Sequence, residues 1–187
     1  MQSALLRHAA LISLAFCGAC LTGLLAQIRI PLPTTPVPIT GQVLAVLLCA
    51  ALLGGNYGML SQVMYYALGA MGFKWFAGGT FGTAVLTGVT GGYIVGFIVA
   101  AFFLGACTRH FKMAATFGGM VAFMLMAVAL IYFFGVFQYM LVMRLSPAQA
   151  IAGGAWPFIA FDVIKALIAA SIVMPIMRLR KGAPQKA

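Results

Sequence analysis

The sequence predicts an all-α, polytopic membrane protein: one transmembrane domain over residues 1–187, built as a bundle of six helices with irregular loops on its outer face. Three observations carry this expectation. Of 187 residues, 64% are hydrophobic and only 6% are charged, where a soluble globular domain carries roughly 25% charged residues. The apolar residues form continuous runs rather than an alternating pattern, which disfavours a transmembrane β-barrel. A helical crossing takes about 20 apolar residues, so after loops this length holds about five to seven. Such a chain cannot cover a water-facing surface, which excludes a soluble enzyme, a nucleic-acid-binding protein and a disordered chain.

The first apolar run, about 5–28, carries Arg7 and His8 near its start and is expected as a first membrane helix rather than a cleaved signal segment, because it is long and further spans follow. Pro31, Pro33, Pro36 and Pro38 then forbid a regular helix. Their neighbours Ile30, Leu32, Val37 and Ile39 are apolar, so this stiff segment is expected to lie back on the helices. The second and third spans, about 40–54 and 57–72, meet at Gly54-Gly55-Asn56, a tight hairpin. Residues 73–88 are rich in glycine and read as irregular. The fourth span covers about 89–107, starts on Thr90-Gly91-Gly92-Tyr93 and ends at a polar island of Thr108, Arg109, His110 and Lys112. The fifth apolar stretch, about 113–142, is long enough to tilt or to include an interfacial turn. Arg144, Ser146, Pro147 and Gln149 mark a surface loop with room for a short helix, and the sixth span, about 156–177, leads into Arg178, Arg180, Lys181 and Lys186.

Eleven Lys and Arg against one acidic residue give a net charge of +10. On this chain the charge reads as topology and as attraction to anionic lipids. With six spans, Arg7, Arg109, Lys112, Arg178, Arg180, Lys181 and Lys186 share one side, and Arg29, Lys74 and Arg144 share the other. The excess of basic residues marks the cytoplasmic side, so both termini are expected in the cytoplasm, with the chain in the plasma (cell inner) membrane. Segments 29–39 and 73–88 then share the outer face with Trp156 and Pro157. Cys17, Cys20, Cys49 and Cys107 all lie in apolar runs and read as buried small hydrophobes. No metal and no cofactor is expected.

Asp162, the single carboxylate, stands three residues before Lys165, so the two share one face of the sixth helix. A charged Asp or Lys at a helix centre in a bilayer costs about 2.5–3.5 kcal/mol on insertion scales, and ionisable residues at such depth mark functional sites by default. Two readings follow. The pair can be an internal salt bridge that locks the sixth helix in a structural subunit, or a ligand clamp opening outward. A carboxylate accepts and an ammonium donates hydrogen bonds, which suits a cyclic urea or an amide. A ligand carboxylate would look for a second cation, and Arg29 and Lys74 on the outer segments are candidates. Gln42, just below the proline segment, can meet a ligand or bond another helix; Gln62, nearer the cytoplasmic half, reads as a helix-to-helix bond. Trp75, Phe76, Phe81 and Tyr93 can wall a pocket or serve as interfacial anchors. No nucleotide phosphate loop and no placed His–acid pair occurs in the sequence, so enzyme chemistry is not expected. Small residues spaced by four on the first helix, Ala9 and Ser13, and separately Ala15, Ala19 and Gly23, permit close helix approach.

Taken in order, Ile30-Pro31-Leu32-Pro33, Pro36-Val37-Pro38-Ile39-Thr40 with Gln42, Phe76-Ala77-Gly78-Gly79, Thr90-Gly91-Gly92-Tyr93 with Gly96-Phe97, and Pro157 with Asp162 and Lys165 form a specific set. On these motifs the chain resembles the BioY family, the biotin-specific substrate-binding membrane subunits (S components) of energy-coupling-factor transporters. The resemblance implies a six-helix bundle that captures biotin from outside, with Asp162 and Lys165 on the ureido ring. It implies that the proline loop covers the pocket and that the 73–88 segment, with Phe76, Gly78 and Gly79, forms a wall. It further implies a second membrane subunit and two ATPase subunits as partners, with Ala9 and Ser13 on the docking face. Transport alone, as a homo-oligomer or only with the ATPases is left open by the residues.

Overall fold

The computed structural model describes the backbone of residues 2–182 and the side chains of residues 5–179. Lys186, and the side chains of Arg180 and Lys181, lie outside what is described. Helix α1 (Gln2–Leu25) leads into a two-stranded antiparallel hairpin, β1 (Arg29–Leu32) and β2 (Thr35–Thr40). Helices α2 (Gln42–Leu53), α3 (Gly55–Ala70), a short α4 (Thr83–Thr87) and α5 (Gly91–His110) follow. A 3-10 turn at Lys112–Ala115 precedes α6 (Phe117–Met143). Then come α7 (Pro147–Gly154), a 3-10 turn at Trp156–Phe158, and α8 (Ile159–Gly182).

The protein is mostly helical, and the hairpin corrects the all-α expectation. The prolines do forbid a helix, but they permit a two-stranded ribbon. A strand with one neighbour leaves half its N–H groups unpaired, and proline fits there. Strand β2 alternates strictly, with Thr35, Val37 and Ile39 buried and Pro36 exposed between them. Arg29 pairs with Thr40 and Ile30 with Ile39, with an irregularity before Leu32 meets Thr35.

Four helical stretches are long and apolar enough to cross a bilayer: residues 5–25, 91–110, 117–143 and 147–179. Helix α2, with 12 residues, and α3, with 16, are shorter. At 1.5 Å per residue they rise about 18 and 24 Å, short of a hydrocarbon core of about 30 Å.

Helix α5 is central and packs on α2, α3 and α6. The contact surfaces are small and apolar: Ala45 and Ala50 of α2, Ala100 and Ala101 of α5, Ala127 of α6, and Ala166, Ala169 and Ala170 of α8 are all buried. Small residues let helix backbones approach closely, and that gives van der Waals packing where lipid removes any hydrophobic drive. Between these contacts larger side chains such as Leu47, Leu104, Met120 and Ile131 fill the core, while Leu24, Phe133, Phe137 and Ile164 face outward.

Helix α1 buries a narrow stripe. Ala15 and Ala19 are fully buried, and Gly18 sits on Cys49 and Ser61. Ala9 and Ser13 are exposed, with the Ser13 hydroxyl donating to the Ala9 carbonyl at 3.1 Å. Cys49 and Cys107 are buried, but Cys17 and Cys20 are exposed on α1, contrary to expectation, because only one stripe of that helix meets the bundle. Gln62 is fully buried and its amide donates to Thr22 of α1 at 3.2 Å, a bond between helices.

Gly105 of α5 lies against the backbone of Gly54 and Gly55, at the turn between α2 and α3. Gly105→Val forces a branched side chain into that contact, and overpacking of this kind costs about 1–3 kcal/mol. The thermal unfolding midpoint of the variant in detergent is expected to drop clearly; an unchanged midpoint would mean that these elements are not so close.

Candidate ligand cavity

A cavity of about 300 Å³ opens at the end of the bundle that carries the hairpin. Its size is at the lower end of the range for small-molecule sites, roughly 300–1,000 Å³. One wall is β2, another the 76–90 segment, and the rest come from α2, α5, α6 and the start of α8.

Asp162 lies in the first turn of α8 and is 3% exposed. The partial positive charge at a helix N-terminus favours a carboxylate there. Lys165 Nζ donates to Asp162 Oδ1 at 2.6 Å. The Tyr132 hydroxyl, from the middle of α6, donates to Asp162 Oδ2 at 2.6 Å. Each carboxylate oxygen therefore has a donor and keeps a second lone pair for another. All three side chains line the cavity.

The start of α8 is placed by the chain before it. Ser146 and Gln149 form a capping box that begins α7. Where α7 ends, the Gly154 carbonyl accepts from the Tyr93 hydroxyl at 2.7 Å. The Tyr93 ring lies in the slot that Gly135 of α6 leaves open. Tyr93 is thus a fixed wall with its hydroxyl engaged.

Gln42 is buried, lines the cavity, and spends its amide on the protein. Its Nε2 donates to the Tyr65 hydroxyl at 2.8 Å, and its Oε1 accepts from Thr40 at 2.8 Å. Phe76 is fully buried, edge-on to Tyr65 at 5.3 Å. Gly78 and Gly79 both adopt φ +73 in the turn after Phe76, a left-handed conformation that suits glycine. Gly78 also makes room for Arg29, since a Cβ there would lie 2.7 Å from its Nη1.

Of the nine predicted binding residues, Arg29, Gln42, Phe76, Tyr93, Asp162 and Lys165 line the cavity. Gly78 touches it through Arg29, and Gly79 does not line it. Lys74 does not line it either; its Nζ lies 5.6 Å from the centre of the Phe81 ring, at the surface. Arg29 is therefore the second cation at the cavity. Tyr132 was missed by sequence reasoning. A signal existed: a tyrosine deep in an apolar span needs a partner for its hydroxyl. Its partner is 30 residues away, and no local pattern links them.

Tyr132→Phe removes one of the two donors to a buried carboxylate, a loss worth about 1–3 kcal/mol. The expected outcome is a lower unfolding midpoint in detergent with unchanged helix content, read by circular dichroism.

Comparison with known proteins follows the same lines. The BioY family profile matches residues 1–182. The biotin transporter BioY of Thermotoga maritima is 39% identical over 150 residues, covering 80% of this chain and 86% of that protein. The probable biotin transporter BioY of Pyrococcus horikoshii is 35% identical over 162 residues, covering 86% and 92%. The fold matches a crystal structure of the S-component for biotin from an ECF-type ABC transporter with a TM-score of 0.84 and 25% identity, over 95% of this chain and 94% of that one. The apolar helices are accordingly those of an integral membrane protein. Because sequence and fold agree along almost the whole length, the chain belongs to the BioY family.

Proposed function

We propose that this protein is the substrate-binding subunit of a biotin uptake system and takes biotin from the outer side of the membrane into the cavity under the hairpin. The observation that carries this reading is the ion pair of buried Asp162 with half-buried Lys165, capped by Tyr132, in the wall of that cavity. A ureido ring presents N–H donors beside a carbonyl. Asp162 accepts from the N–H groups, and Lys165 donates to the carbonyl oxygen. Val43, Phe97, Ile131 and Phe158 offer apolar contact to the rest of the molecule. Arg29, at the cavity edge, meets the carboxylate of the side chain. The names of the relatives, biotin transporters, support the choice of ligand.

Six helices, α1, α2, α3, α5, α6 and α8, cross the plasma membrane, with α2 and α3 the short ones. Both termini are cytoplasmic, in line with the excess of basic residues on that side. As in the ECF-type assembly to which the structural neighbour belongs, a second membrane subunit and two ATPases complete the transporter. The exposed Ala9–Ser13 face of α1 is where that membrane subunit docks; the Ala15–Ala19 stripe is used inside the bundle. The competing reading, a structural subunit locked by Asp162–Lys165, draws on the same ion pair but leaves the cavity without a purpose.

Titration calorimetry on the detergent-purified chain tests the clamp. Breaking a buried, hydrogen-bonded charge pair costs about 2–5 kcal/mol in binding, so Asp162→Asn and Lys165→Ala are each expected to weaken biotin by about thirty-fold or more. Biotin-dependent rise of the unfolding midpoint should disappear with them. If both variants bind like wild type, or if biotin never shifts the midpoint of the wild-type chain, the clamp reading fails.

Arg29 has its own signature. A hydrogen bond to a charged group is worth about 1.5–3 kcal/mol. Wild type should therefore prefer biotin to its methyl ester by about tenfold or more, and Arg29→Gln should bind both alike. A preference that survives the substitution would place the carboxylate elsewhere.

A further inference from the structure

At the end of the bundle opposite the cavity, a groove is lined by Arg7, His8 and Leu11 of α1, Tyr57 and Leu60 of α3, and Arg109 of α5. Two guanidinium groups face it with no acidic partner among the described residues, because the one acidic side chain, Asp162, lines the other cavity. Arg109 is held in place. Its Nη2 donates to the Leu53 carbonyl at the end of α2 at 2.9 Å, and its guanidinium lies flat against Gly54. A guanidinium has five N–H donors, so one such bond leaves most of them for another acceptor. Arg7 has no hydrogen-bond or ion-pair partner among the described residues. His8 Nδ1 and the Tyr57 hydroxyl, 2.6 Å apart, tie the two helices that form the groove. Below this polar rim the walls are apolar, through Leu11 and Leu60.

We infer that this groove binds the phosphate of an anionic phospholipid headgroup, held between Arg7 and Arg109, with an acyl chain running along Leu11 and Leu60. Guanidinium groups suit phosphate because their planar fork matches two of its oxygens. Basic pockets between membrane helices are a recurrent setting for anionic headgroups. A lipid suits the place better than a soluble phosphate does, because Phe102, which lies against Gly55 at the start of α3, is 47% exposed beside the groove. The site is separate from the proposed docking face. At about 3.6 residues per turn, Arg7, His8 and Leu11 share one side of α1, and Ala9 and Ser13 lie on the opposite side.

Native mass spectrometry of the full chain tests this, with phosphatidylglycerol or phosphatidylcholine of matched acyl chains added in detergent. One phosphatidylglycerol per chain should be retained, and phosphatidylcholine much less. Arg7→Gln and Arg109→Gln should each weaken retention by about fivefold, the weight of one basic residue beside an anionic headgroup. Arg144→Gln, at the hairpin end, should leave it unchanged. Arg109→Gln also removes the Leu53 contact and can fail to fold; Arg7→Gln breaks no described contact and decides the matter alone. Equal retention by Arg7→Gln and wild type would overturn the inference, as would equal retention of the two lipids. Release of the lipid by millimolar inorganic phosphate would overturn it in favour of a soluble anion.

Discussion

An ammonium and a carboxylate placed in the wall of an apolar bundle are largely withdrawn from water, so each gains from a partner in the protein. Everything at the cavity end is arranged around this constraint. Asp162 and Lys165 are brought together by helical spacing alone, one turn apart on α8. That leaves one carboxylate oxygen open, and Tyr132 of α6 fills it. A buried pair of this kind adds little to stability as a whole, because desolvation offsets the attraction. Breaking it is costly, since the remaining charge is stranded. The pair therefore acts less as a brace than as a fixed set of donors and acceptors in the cavity wall.

The second constraint is length. Helix α2 begins only at Gln42 and has 12 residues, too few to span a hydrocarbon core, and the hairpin packs on the bundle just before it. The inward residues Val37 and Ile39 make the hairpin part of the core rather than an appendage. Its proline content keeps it extended without a sheet behind it. Gln42 connects this roof to the interior, bonded to Thr40 of β2 and to Tyr65 of α3, whose hydroxyl donates in turn to the Trp75 carbonyl at 3.3 Å. Gln27 adds bonds to the carbonyls of Gly23, Trp75 and Phe76. The roof and the 73–88 wall are thus cross-linked by side-chain amides, and the cavity between them is preformed.

How much of this was legible in the sequence depended on the range of the cause. The long helices were, because a continuous apolar run and a helix are both local; the short α4, inside the glycine-rich 73–88 segment that reads as irregular, was not. So was the Asp162–Lys165 pair, since scarcity of charge draws the eye and the spacing is three. The hairpin was not: its order comes from pairing Arg29 with Thr40 and Ile30 with Ile39, and four prolines read locally as irregular chain. Tyr132 was not, because an uncharged side chain in a long apolar helix carries no sign of what it faces. The choice between Arg29 and Lys74 was not, because two basic residues on outer segments look alike until the turn at Gly78 brings one of them to the cavity edge. The C-x-x-C pair was misplaced for a related reason. Apolar surroundings in sequence do not separate a core from a lipid-facing side, and α1 buries only its Ala15–Ala19 stripe.

The charge balance links the two ends of the molecule. With one acidic side chain in the sequence, one basic side chain is neutralised by it, and Lys165 takes that place. Every other basic residue must find a neutral partner or stay open to the interface. Lys74 rests on the Phe81 ring, and Arg109 caps the last carbonyl of α2. These contacts fix position without cancelling charge. Placing the single acidic side chain at the cavity therefore leaves the described charged residues at the opposite end, among them Arg7, Arg109 and Lys112, all basic. The same scarcity of acidic side chains leaves Arg7 and Arg109 in the opposite groove with no acidic side chain to pair with.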